Sequence, residues 1–174
     1  MGSTVENLTI VLYPDPRLRR QCAPVEAVDD HVRDICRRML QLMHEAPGVG
    51  LAAPQVGLSS RLFVANATGD PADDMVFINP TLIEPSRRME ELEEGCLSLP
   101  EIRALIRRPI QITIEATDID GSRFQATSDE LPARIWQHEY DHLDGILITD
   151  RMAPIDRMAN QKALREMEKD AARG

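Results

Sequence analysis

The stretch Gln137-His138-Glu139-Tyr140-Asp141-His142-Leu143-Asp144-Gly145 constrains this chain more than any other, because its H-E-x-x-H frame can act as a unit only on a helix. With about 3.6 residues per turn, positions four apart share a face, so His138 and His142 can aim imidazole nitrogens at one metal ion. Glu139, one step along from His138, is then placed to take a proton from water rather than to ligate. That is hydrolytic chemistry. The bland alternative is a helix with two solvated or internally bonded histidines, and the frame's rarity in ordinary chains weighs against it.

Composition narrows the partners. At 174 residues and 43% hydrophobic content, the chain has enough apolar material for one domain with a real core and too little length for two comfortable ones. A net charge of -9 repels nucleic acid and anionic membranes, and 3% aromatic content leaves no stacking platform for single-stranded nucleic acid. No apolar run approaches the ~20 residues that cross a bilayer, and the N-terminus lacks the charged-then-apolar layout of a secretory signal. The expected compartment is the cytosol. Cys22, Cys36 and Cys96 make an odd count with no disulfide framework, which fits a reducing environment and leaves a thiol available as a ligand.

Along the chain, residues 1–3 are expected to be loose, Pro14-Asp15-Pro16 to force an extended or turned path, and Arg17, Arg19 and Arg20 to be solvated. From Asp29, Val32, Ile35, Met39, Leu42 and Met43 recur at three- and four-residue spacing, which predicts an amphipathic helix. Cys36 and His44 on that helix read as packing or surface residues. Pro47 closes it, and residues 48–57, rich in small side chains, read as a loop built for close backbone approach. That loop lacks the spacing and the Lys-Ser/Thr ending of a nucleotide cradle. Residues 61–66 and 75–83 predict strands, and the charged run 87–94 predicts a solvated strand edge or loop. Ile110, Ile112, Ile114 and Ala116 alternate with polar residues and pair in a hairpin with residues 123–127. The metal-motif helix is predicted from about Leu131 to Leu143, and a last helix over residues 155–171 has a sparse apolar face of Ile155, Met158, Leu164 and Met167.

Two histidines leave a catalytic metal one protein ligand short of its usual three. The metzincin extension of the frame places Gly145 correctly but puts Ile148, which cannot ligate, at the final histidine. A thermolysin-like zinc endopeptidase would draw a glutamate from a later helix, and Glu166 is available. The third candidate is the thiolate of Cys96, in Glu94-Gly95-Cys96-Leu97-Ser98. A purely structural metal module would need a fourth ligand, and no spare cysteine or histidine lies suitably near.

Three stretches, Gly48-Val49-Gly50-Leu51-Ala52-Ala53-Pro54-Gln55, Glu94-Gly95-Cys96-Leu97-Ser98 and Gln137-His138-Glu139-Tyr140-Asp141-His142, together resemble the signature motifs of the peptide deformylases, intact and in order. The resemblance implies an α+β fold of mostly antiparallel sheets packed around a central HExxH metal-binding helix, with an N-terminal amphipathic helix and a C-terminal helix. It implies a single domain over residues 1–174, with a core of about 8–152 and a C-terminal helix over 153–174. The implied activity is removal of the formyl group from the N-terminal formyl-methionine of nascent peptides, with release of formate. It further implies Cys96, His138 and His142 as ligands of one divalent ion, natively Fe(II), with nickel, cobalt or zinc as substitutes. Glu139 is the implied base, and the Gln55 amide and Leu97 N–H are the implied oxyanion donors. The peptide is expected to lie as an added strand beside Gly48, Val49 and Gly50, with its methionine in a pocket lined by Leu131 and Ile135, and with Arg103 near its chain. Arg134 stands at a pocket-rim position that is apolar in some relatives. The ribosome is a candidate partner through the last helix. Lys162, Arg165, Lys169 and Arg173 there are nearly balanced by Glu166, Glu168 and Asp170.

Cys96→Ala and Glu166→Ala separate the two enzymatic readings. Removing the thiolate is expected to abolish most tight metal binding, since two imidazoles alone hold a divalent ion poorly. Removing a solvated carboxylate should change stability by no more than about 0.5 kcal/mol and leave metal stoichiometry intact. Metal retained in the cysteine variant and lost in the glutamate variant would favour the endopeptidase.

Overall fold

Asp29 opens the first helix as its position predicts. Its side chain accepts a hydrogen bond from the Val32 N–H at 2.9 Å, and α1 runs Asp30–Glu45. The computed structural model describes residues 4–174, so residues 1–3 lie outside the described residues. Seven strands follow: β1 (Gly50–Ala52), β2 (Leu62–Ala65), β3 (Met75–Ile83), β4 (Met89–Cys96), β5 (Leu99–Pro109), β6 (Ile112–Thr117) and β7 (Arg123–Ser128). Helices α2 (Leu131–Leu143), α3 (Ile148–Arg151) and α4 (Pro154–Arg173) complete the chain.

Five strands form an antiparallel sheet in the order β1-β2-β3-β6-β7, while β4 and β5 form a separate hairpin sheet. Successive side chains of a strand point to opposite faces, and β2 uses both. Leu62 and Val64 join the stripe of α1 formed by Ile35, Cys36, Met39, Leu42 and Met43. Phe63 and Ala65 join Ala133, Ile135, Trp136 and Leu143 of α2. The three phenylalanines and the lone tryptophan of the chain all sit in this second seam. Phe77 stacks on Phe63 at 4.6 Å and tilts against Phe124 and Trp136 at 5.4 and 5.7 Å. The motif helix is thereby held against the sheet, and β4–β5 covers its other side.

Three local expectations are corrected, and one strand is added. Within the loop expected over residues 48–57, Gly50–Ala52 is a fully buried strand and Ala53–Val56 a 3₁₀ turn, because these small residues let the backbone pair with β2 beneath α2. The charged run after residue 87 is β4, the solvated edge strand among the two expectations, and what the charges concealed is its partner, the 11-residue β5. Ile102, Ala104, Ile106 and Arg108 point inward there and Arg103, Leu105 and Arg107 outward, a period of two that was present to be read. On α4, only Leu164 and Met167 of the expected face pack, together with Ala163, whereas Ile155 and Met158 are each 76% exposed. Polar contacts dock this helix instead. Asp156 accepts from the Leu105 N–H, and Asn160 donates to the Arg103 carbonyl. Finally, Arg17 and Arg19 are not simply solvated: Arg17 pairs with Asp15 at 2.7 Å, and Arg19 pairs with Asp150, which holds the segment before α1 to the chain following α2.

Phe77→Ala should lower unfolding stability by about 3–5 kcal/mol, since it empties the centre of the seam that fixes α2. Equilibrium urea denaturation would measure it. A loss below about 1 kcal/mol would show that the aromatic seam does not hold the motif helix.

Candidate metal centre

Cys96 ends β4, and His138 and His142 lie one turn apart on α2, their rings in an edge contact with centroids 5.1 Å apart. The candidate ligand atoms of all three residues lie within 4.8 Å of one another. Cys96 Sγ is 3.5 Å from His142 Nε2. Metal–sulfur and metal–nitrogen bonds of about 2.3 and 2.0–2.1 Å meeting at the tetrahedral angle would separate those atoms by about 3.5 Å. The donor set therefore fits a divalent ion such as zinc or ferrous iron. Cys22 and Cys36, by contrast, are buried away from the site, and burial pushes their thiols up to about 11 and about 12.

One buried carboxylate orients the first histidine. Glu94, two residues before Cys96, approaches His138 Nδ1 to 2.8 Å through Oε1, which leaves Nε2 free as the ring's candidate ligand atom. The same carboxylate receives Arg108 through Nε and Nη2 at 2.7 and 2.9 Å, and Arg134 through Nη1 at 2.8 Å. Arg108 continues to Asp141 at 2.9 Å, and Asp141 accepts two further bonds from Arg151. Burial alone would raise the Glu94 carboxyl. The hydrogen bonds from His138 and Arg108 win and hold it well below the usual carboxylate range.

Glu139 is 4% exposed, with Oε1 3.9 Å from His138 Nε2. Burial pushes its carboxyl up to about 7 against the pull of His138. Its Oε2 is buried with no hydrogen-bond partner among the described residues. Gly50 makes room for this side chain, since a Cβ there would stand 2.7–2.9 Å from Glu139 Oε1, Cγ and Cδ. Gln55 is anchored by the Ala52 N–H, which donates to its Oε1 at 2.9 Å. Its amide nitrogen is thereby turned toward Cys96 Sγ at 3.5 Å and Ser98 Oγ at 3.2 Å.

A cavity of about 480 Å³ opens beside these groups, and it gathers the residues named from the sequence except His142, which lies behind Cys96. Val49 and Leu131 are half exposed at the mouth, Gly50 and Ile135 are buried in the wall, and Leu97 lies in the two-residue link between β4 and β5. Arg103 lines the cavity and lies across Gly95, where a Cβ would come within 2.7 Å of its Nη1. The hairpin register makes this possible. It slips between Glu94 and Cys96, so that residues 100–103 of β5 span what Gly95 spans on β4, with Glu101 at φ +67°. Glu166 stays out on α4, paired with Lys169 at 3.7 Å. Roles that sequence reasoning left unassigned belong to Glu94, Arg108 and Asp141, while Arg134, expected at the pocket rim, lines the cavity and also binds Glu94. The alternation of β5 pointed Arg108 inward, but nothing local named its partners.

Comparison with known proteins agrees with this geometry. The family model described as polypeptide deformylase matches residues 7–158. The chain is 41% identical over 162 residues to a peptide deformylase of Chromohalobacter salexigens, covering 93% of this chain and 94% of that protein. It is 44% identical over 147 residues to the chloroplastic/mitochondrial peptide deformylase 1B of Arabidopsis thaliana, covering 83% of this chain but only 54% of the plant protein, about half its length. A peptide deformylase crystal structure from Plasmodium falciparum superposes with a TM-score of 0.90 at 39% identity, covering 93% of this chain and 96% of that one.

Glu94→Gln should weaken metal affinity by roughly 10–100-fold, because a neutral amide orients the His138 ring less firmly. Competition against a chromophoric chelator reads this directly. Unchanged affinity in a folded variant would remove Glu94 from the site.

Proposed function

The chain belongs to the polypeptide deformylase family, and on that premise we propose that it is a metal-dependent hydrolase that removes the formyl group from the N-terminal formyl-methionine of newly synthesised peptides. The observation that carries this reading is the convergence of Cys96, His138 and His142 beside a buried, partly unpartnered Glu139 on the wall of one open cavity. A zinc endopeptidase is not favoured, because Cys96 completes the ligand set while Glu166 is exposed on a distant helix.

The reaction breaks a formamide C–N bond, which resonance makes a poor electrophile. When bound, a divalent ion supplies Lewis acidity, lowering the pKa of water from about 16 toward 7 and polarising the formyl oxygen. Glu139 takes the proton from the attacking water and delivers it to the departing amine as formate leaves. The tetrahedral oxyanion is met by donors that do not titrate, the Gln55 amide and the Leu97 N–H. The orientation that the Ala52 N–H imposes on Gln55 supports its part. The peptide adds as a strand along Val49 and Gly50, its methionine side chain enters between Leu131 and Ile135, and Arg103 steadies its chain. Fe(II) is the resident metal of this reading, with nickel, cobalt or zinc as replacements; a thiolate with two imidazoles accepts all four. The protein acts as a single domain in the cytoplasm, a setting supported by its three free cysteines. No helix among the described residues is long and apolar enough to cross a membrane. A contact with the ribosome through α4 is supported by the exposure of Ile155 and Met158 at its start.

Formate release from a formyl-methionyl peptide, measured with anaerobically prepared iron-loaded protein, tests the reading. Glu139→Gln should keep full metal occupancy and lose on the order of a hundredfold or more in turnover. Air should inactivate the iron form, and cobalt or nickel should restore it. Near-normal turnover of the fully loaded glutamine variant would exclude Glu139 as the base.

A further inference from the structure

Arg134 is out of place by composition. It is 9% exposed on α2 and helps to line the cavity beside the apolar side chains of Leu131, Ile135 and Ile102. Its guanidinium is partly committed. Nη1 donates to Glu94 Oε2 at 2.8 Å and to the Ile106 carbonyl at 2.7 Å, and Nη2 donates to the Glu90 carbonyl at 3.0 Å. A guanidinium carries five N–H donors, so two remain beyond these three bonds. A wholly apolar substrate side chain leaves those donors without a new partner. A side chain of the same length with an acceptor near its tip would receive a charge-assisted hydrogen bond, which offsets the cost of burying the acceptor.

We infer that the cavity takes, besides formyl-methionine, unbranched N-formylated residues bearing a neutral oxygen acceptor near the end of the side chain, and formyl-methionine sulfoxide in particular. The inference rests on the proposed reading that this cavity holds the formyl-methionine side chain. Methionine sulfoxide keeps the length and flexibility of methionine and adds one strong acceptor at sulfur. A neutral acceptor suits the lining better than an anionic one, because Glu93 and Glu101 oppose a carboxylate there while Arg103 offsets only part of their charge. The chemistry does not change. Water adds to the formyl carbon, the C–N bond breaks, the amine takes the proton, and the sulfoxide passes through without gain or loss of electrons.

The test compares kcat/KM for formate release from a formyl-methionyl tripeptide and its sulfoxide, in the parent, Arg134→Leu and Arg134→Lys. The parent should process both within about tenfold of each other. In Arg134→Leu the sulfoxide-to-thioether ratio should fall about tenfold, equivalent to ~1.4 kcal/mol. Any weakening of the Glu94 anchor slows both substrates and cancels in that ratio. Arg134→Lys, which keeps a charged donor, should lie between the two, and it carries the comparison if the leucine variant does not fold. A ratio unchanged by either substitution, or a parent that rejects the sulfoxide by more than a hundredfold, would overturn the inference. Should the metal-loaded parent release no formate from the thioether peptide, the deformylase reading fails. Calorimetric binding of the unformylated methionyl and sulfoxide tripeptides to the parent and Arg134→Leu then decides the cavity's preference by the same ratio.

Discussion

The site depends on the burial of one carboxylate. An ionised Glu94 at 6% exposure would be untenable alone, since removing a carboxylate from water costs several kcal/mol even after relaxation. It is tolerable here because Arg108, Arg134 and His138 converge on its two oxygens. Arrays of this kind are weak sources of net stability, because well-packed apolar side chains would do as well. What this one supplies is direction. Each donor comes from a different strand or turn, so satisfying Glu94 fixes where β4, β5 and α2 stand relative to one another, and with them the ring of His138.

Two kinds of contact divide the work of placing α2. The aromatic seam around Phe77 presses the helix onto the five-stranded sheet, but hydrophobic burial is non-directional and sets depth better than rotation. Rotation is set on the opposite side, where Arg134, His138 and Asp141 reach the β4–β5 hairpin along two turns of the helix through Glu94 and Arg108. Cys96 follows Glu94 on the same strand, so the clamp that turns the histidines also delivers the thiol to them. Close approach of backbone completes the arrangement. Gly50 lets β1 run against Glu139, and Gly95 lets Arg103 fold across the strand toward the cavity.

Arg134 shows how one side chain can belong to both parts of such a site. Its guanidinium anchors Glu94, and the side chain also walls the cavity. The candidate metal site and the cavity wall formed by Leu131, Arg134 and Ile135 are therefore built on successive turns of α2. Arg134 and His138 are thus joined through one carboxylate.

Much of this molecule was legible in order along the chain. The spacing of His138 and His142, the stripe and cap of α1, and the turn at residues 118–121 are local patterns, and local patterns survive without knowledge of the fold. The three motifs named the site residues as well, since each carries its chemistry in adjacent positions. The strand β5 escaped notice because its inward alternation includes Arg108, a residue that reads as solvated until its partners are known. Residues 50–52 escaped because a three-residue strand, buried throughout, is too short to carry a periodic signal. The sequence by itself therefore determined which groups are the candidates for the chemistry and, for the histidines and Glu139, on which element they ride. Only the tertiary structure decided that Glu94 holds His138, that Gly50 is shaped around Glu139, and that Arg134 anchors Glu94. Those choices depend on pairings across tens of residues, and burial alone makes a charge seek its partner.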